Sequence, residues 1–81
     1  MARWNAHFPI KDLFTDEDVG PEEAQRIGKE VARRMRARPH VFGDETFDFV
    51  DRFEDVENQE DFNDILDELY DVADSIRVWI K

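Results

Sequence analysis

The run FNDILDELYDVADSIRVWIK, residues 62–81, constrains this chain more than any other stretch. Phe62, Ile65, Leu66, Leu69, Ala73 and Ile76 recur at intervals of three and four, which places them on one face of an α-helix. The other face is acidic. Asp61, Asp64, Asp67, Glu68, Asp71 and Asp74 carry six negative charges, and no basic residue lies between Arg52 and Arg77. After Ile76 the pattern becomes short, β-branched and aromatic, so residues 77–80 read as a terminal strand. A helix with one apolar stripe and an isolated strand both need partners. The rest of the chain has to supply a core and a second strand.

The second strand is predicted at residues 3–8, where Trp4, Ala6 and Phe8 alternate with Arg3, Asn5 and His7 before Pro9 stops the run. A two-stranded ribbon is marginal by itself, so it is expected to pair with residues 77–80 and to be covered by helices. Antiparallel pairing is favoured by frequency. Residues 10–14 form a short apolar connector, about one helical turn, with Leu13 and Phe14 directed at the core. Residues 15–20 form a polar acidic loop.

Pro21 suits the first position of a helix, where its missing N–H is no loss, and Glu22 and Glu23 complement the positive end of the helix dipole. The spacing predicts a helix over 21–37 with Ala24, Ile27, Gly28, Val31, Ala32 and Met35 inward. Ala24, Gly28 and Ala32 are small and four apart, a groove for close approach that offsets the cost of Gly28, about 1 kcal/mol of helix propensity. Pro39 ends this helix, and residues 40–44 read as a turn around Gly43. Over 45–56, Phe47, Val50 and Phe53 fit a short helix, while Phe47 and Phe49 fit a strand; the helix is the preferred reading. Asn58 is a good N-cap for the last helix, with Asp61 three residues on as in a capping box.

Eighty-one residues make one domain, 1–81, near the size below which disulfides or metals are usually needed. Cysteine is absent. Seven Phe, two Trp and one Tyr are expected to supply the core instead. No apolar run reaches the length of a membrane span and no signal-peptide core is visible, so the expected location is the cytoplasm. The net charge of −10 is unevenly placed: residues 1–43 carry seven acids and eight bases, whereas 44–76 carry fourteen acids against Arg52 alone. Such an acidic half repels nucleic acid and anionic membranes and attracts basic proteins.

Trp4 with PIKDLFT (residues 9–15) and DELYDVADSIRVWI (residues 67–80), above all Leu69, Tyr70, Asp71, Ala73, Asp74, Arg77, Trp79 and Ile80, resemble a family of short proteins of unknown function encoded by bacteriophages and prophages. The likeness covers about a third of the chain. It implies an origin in phage or mobile DNA and brings no activity or catalytic residue.

On a helix, Asp64, Asp67, Glu68, Asp71 and Asp74 form a row with neighbours about 5–6 Å apart at Cβ. The row reads as a solvated face, as a surface for a basic host or phage protein, or as an imitation of a phosphate backbone that occupies a basic cleft. No calcium-loop spacing is present, and His7 and His40 have no metal-ligand partners at a fitting interval, so neither metal nor cofactor is expected. Hydroxyl nucleophiles are few and no phosphate-binding glycine loop occurs; an enzyme is not expected. Arg33, Arg34, Arg36 and Arg38 are read as dipole partners and as donors to nearby acids such as those of the last helix. Tyr70 borders the apolar face and has no assigned role.

The expected fold is α+β: a small two-stranded sheet of the N- and C-terminal strands, packed with two longer helices and a short third one around Trp4, Phe8, Leu13, Phe14, Ile27, Val31, Phe62, Leu66, Leu69 and Trp79. The expected function is non-enzymatic protein binding through Asp64, Asp67, Glu68, Asp71 and Asp74. The alternative is a structural or assembly component, as a homodimer or otherwise, with apolar contacts through Phe47, Phe49 and Phe53; the third reading is nucleic-acid mimicry.

Overall fold

The computed structural model describes residues 4–14 and 17–81. Arg3, at the head of the predicted first strand, and Thr15, at the head of the predicted acidic loop, lie outside the described residues. Strand β1 (Ala6–Phe8) leads through a 3₁₀ turn (Lys11–Leu13) to helix α1 (Pro21–Ala37), then to the single turn α2 (Pro39–Phe42) and a second 3₁₀ turn (Gly43–Glu45). Helix α3 (Thr46–Glu54), helix α4 (Gln59–Ile76) and strand β2 (Val78–Ile80) complete the chain. The architecture is α+β, with the two terminal strands paired as one small sheet.

Their pairing is parallel, not antiparallel, with Ala6 opposite Val78, His7 opposite Trp79 and Phe8 opposite Ile80. The general excess of antiparallel pairs owes much to tight hairpins, and these strands are separated by the whole helical body. Asn5 N–H donates to Arg77 O at 2.6 Å and Lys81 N–H to Phe8 O at 2.9 Å, extending the ladder beyond both ends of β2. Phe8, Val78 and Ile80 face the core, whereas His7 and Trp79 face out.

Helix α1 occupies its predicted span and buries all six predicted residues. Its groove is filled by α3: a Cβ built on Gly28 would lie 2.5 Å from the Phe53 carbonyl oxygen and 3.1 Å from Val56 Cβ. Helix α3 keeps Val50 and Phe53 of the predicted face inward but not Phe47. Thr46, Phe49, Val50 and Phe53 are buried, and Phe47 is 67% exposed. Thr46 tolerates burial because its Oγ1 donates to Pro39 O at 2.8 Å. The predicted turn over 40–44 is partly helical, since Pro39 both ends α1 and starts α2.

Helix α4 begins as its cap predicts, with Asn58 Oδ1 accepting from Asp61 N–H at 2.9 Å. The Asp61 carboxylate reaches back one residue further than in a capping box, to Glu57 N–H at 3.3 Å. Arg77 closes the helix in the left-handed conformation, at φ 59° and ψ 49°. Edge-on ring pairs link the layers, with Phe8 on Phe42 at 5.2 Å and Phe14 on Phe62 at 6.2 Å between centroids. Trp4 and Trp79, placed in the core by the sequence reading, are instead 40% and 43% exposed. Leu13, Phe14 and Leu66 are partly buried against the core.

Candidate functional site

The 3.6-residue period that buries Phe62, Ile65, Leu69 and Ala73 forces the acids between them outward. Asp64, Asp67, Glu68, Asp71 and Asp74 are all exposed, as one side of α4. Glu68 leans toward α3, where it forms an ion pair with Arg52. The other four carboxylates have no ion pair among the described residues. The guanidinium of Arg52 also lies 5.4 Å from the centre of the Phe49 ring, which fixes the one cation of this half at the α3–α4 junction.

The basic half is arranged differently. Arg26 pairs with Glu23, and Arg36 with Glu54. Arg33 Nε donates to Glu30 at 2.9 Å, and Arg34 holds both Asp12 oxygens at 2.7 and 3.0 Å as well as Pro9 O at 2.9 Å. The bidentate Arg34 contact keeps the Asp12 carboxyl below its usual range, and Arg33 first, with Arg34, holds Glu30 down to about 2. Arg33, Arg34 and Arg36 therefore meet acids of α1, α3 and the N-terminal connector, Arg38 donates to His7 O at 3.4 Å, and among the described residues none of the four pairs with the last helix, where acids were expected as their partners. They leave the α4 row uncompensated.

At the C-terminal end of that row lies a hollow of about 200 Å³. Tyr70, Trp4 and Trp79 form its walls, Ala73, Val78 and Ile80 its floor, and Lys11 and Asp74 its rim. The two indoles meet edge to face at 4.9 Å between centroids. Burial of Val78 and Ile80 turns Trp79, between them, to the outer face of the sheet, where Trp4 of the chain before β1 lies against it, and Tyr70 of α4 lines the same hollow. Partial burial raises the Tyr70 hydroxyl above its ordinary 10.0, so it is a neutral donor at physiological pH. Both tryptophans, expected in the core, lie instead at this hollow, and no local pattern in the sequence distinguishes the two placements.

A further hollow of about 190 Å³, bordered by Phe14, Ile27, Phe62 and Leu66, carries no charged side chain. Among the described residues no group of three or more carboxylates or imidazoles could hold a metal ion. No described helix is long and apolar enough to cross a membrane. Comparisons with protein-family models, with curated proteins and with solved structures found no match.

Proposed function

We propose that the protein is a non-enzymatic accessory factor of phage or prophage type that binds a basic host or phage protein through the exposed carboxylates of α4. The observation that carries this reading is the asymmetry of its ion pairs. Five arginines are matched with acids, while Asp64, Asp67, Asp71 and Asp74 stand unpaired among the described residues in one helical row. Unpaired like charges at this spacing repel one another by a few tenths of a kcal/mol per pair on a helix. A cationic surface relieves that repulsion and is steered toward it from a distance.

The phage or prophage origin rests on the resemblance of the two chain ends, and the cytoplasm is the compartment that goes with it. Of the apolar surface invoked by the assembly alternative, Phe49 and Phe53 are buried and Phe47 is left exposed. Mimicry of nucleic acid uses the same carboxylates, so it differs in the partner and not in the face.

The test is capture on the immobilised protein, comparing wild type with a variant combining Asp64→Asn, Asp67→Asn, Glu68→Gln and Asp71→Asn. The expected partner binds wild type only and is released as salt is raised above ~0.1 M, where the screening length falls below about 10 Å. Retention of the same partner by the neutralised variant sinks the proposal. Competition by duplex DNA identifies the mimicry form.

A further inference from the structure

We infer that the hollow between Trp4, Tyr70 and Trp79 receives one large apolar side chain from a basic partner segment whose lysines or arginines lie along the α4 carboxylates. This rests on the reading of α4 as the binding face and names the chemistry of what binds there.

Four large hydrophobic residues are exposed among those described, and three of them, Trp4, Tyr70 and Trp79, line this one hollow. Tyrosine and tryptophan grouped around a pocket are the residue types that dominate the energy of protein interfaces. At about 200 Å³ the space is smaller than the roughly 300–1,000 Å³ of small-molecule sites, and it matches a side chain better. The indole N–H groups and the Tyr70 hydroxyl have no hydrogen-bond partner among the described residues, so polar contacts remain available around an apolar plug.

Position joins this hollow to the charged row. Asp74, the last carboxylate of the row, is on its rim, and Tyr70 and Ala73 belong to the same helix. Asp64 lies about 15 Å back along the axis from Asp74, at 1.5 Å rise per residue. A single segment of a few turns can therefore seat a side chain between the aromatic rings and lay its charges over Asp71, Asp67 and Asp64. Lys11 and Asp74 offset each other at the rim, and the lining of two indoles, a phenol and the apolar Ala73, Val78 and Ile80 suits an uncharged anchor. The net charge of −10 disfavours a second copy of this chain as the occupant.

Trp4 and Trp79 are the two tryptophans of the chain, so the protein's own emission reports on the hollow. The probes are a synthetic lysine-rich amphipathic peptide with one phenylalanine and no tryptophan or tyrosine, and the same peptide with serine in place of the phenylalanine. The phenylalanine peptide is expected to bind about tenfold tighter and to alter the emission of Trp4 and Trp79, while the serine peptide binds in a salt-sensitive way and leaves it unchanged. Trp79→Ala and, separately, Tyr70→Ser should bring the first peptide down to the affinity of the second without changing the second. Equal affinities with unchanged emission overturn the inference and leave the acidic-face reading standing. Failure of both peptides to bind at low salt overturns both, and binding of a glutamate-rich version of the phenylalanine peptide overturns the basic character assigned to the partner.

Discussion

Gly28 of α1 and Phe53 of α3 are so close that a Cβ on the glycine would stand 2.5 Å from the phenylalanine carbonyl oxygen. That oxygen is main chain and cannot turn aside as a flexible side chain would. Gly28→Ala gains about 1 kcal/mol of helix propensity yet has to push α3 away, at about 1–3 kcal/mol for an overpacked contact and sometimes more. A net loss of up to about 2 kcal/mol is expected in urea unfolding. A more stable variant would show that the two helices separate freely.

Phe49→Ala should cost about 3–5 kcal/mol, because Phe49 is 2% exposed, whereas Phe47→Ala should stay within about 0.5 kcal/mol, because Phe47 is 67% exposed. Thermal unfolding of the two variants separates these outcomes. The pair also marks where sequence legibility ends. The span and inward face of α1 could be read because every buried position is apolar or glycine, and α4 because its cap and stripe agree. In α3 the buried set starts at Thr46, a polar residue satisfied by a contact with Pro39 O that no local pattern reveals, so the spacing of Phe47, Val50 and Phe53 holds for Val50 and Phe53 and fails for Phe47.

Ile80→Ala should destabilise by about 2–5 kcal/mol, since Ile80 is 5% exposed, and Trp79→Ala by only about 1–2 kcal/mol, chiefly through the edge-to-face pair with Trp4. A larger loss for Trp79→Ala than for Ile80→Ala would mean that the strand faces are reversed. The acidic half of the candidate site was legible because helical period alone turns those residues outward. The aromatic half was not. In so short a strand, alternation says that Trp79 opposes Val78 and Ile80, and only the tertiary packing says which side is inside.

Acid should weaken the fold in a defined window. Arg33, followed by Arg34, lowers Glu30 from 4.5 to about 2, and Asp12 and Glu23 are lowered by Arg34 and Arg26. A carboxyl with a lower folded than unfolded pKa contributes stability that is present above the unfolded value and disappears as pH falls through the folded one. For Glu30 that loss runs from about pH 4.5 down to about 2. The free energy of unfolding measured across this window should rise with pH, and Glu30→Gln should flatten the slope. Parallel profiles for wild type and variant would remove Glu30 from the account.

Arg77 is the described non-glycine residue with positive φ, at 59°, and it sits where helices most often end in glycine. The left-handed conformation costs an L-residue about 1–2 kcal/mol, while glycine adds unfolded-state entropy worth about 0.5–1 kcal/mol. The first effect is larger, so Arg77→Gly should stabilise by about 0.5–1 kcal/mol in urea unfolding. The bonds that require this geometry use the main chain: Arg77 N–H donates to Asp74 O at 3.3 Å and Arg77 O accepts from Asn5 N–H at 2.6 Å. Both survive the loss of the side chain, so β2 keeps its register and the gain in stability is not offset at the sheet. A destabilised variant would instead show that the Arg77 side chain holds the end of α4 against the strand.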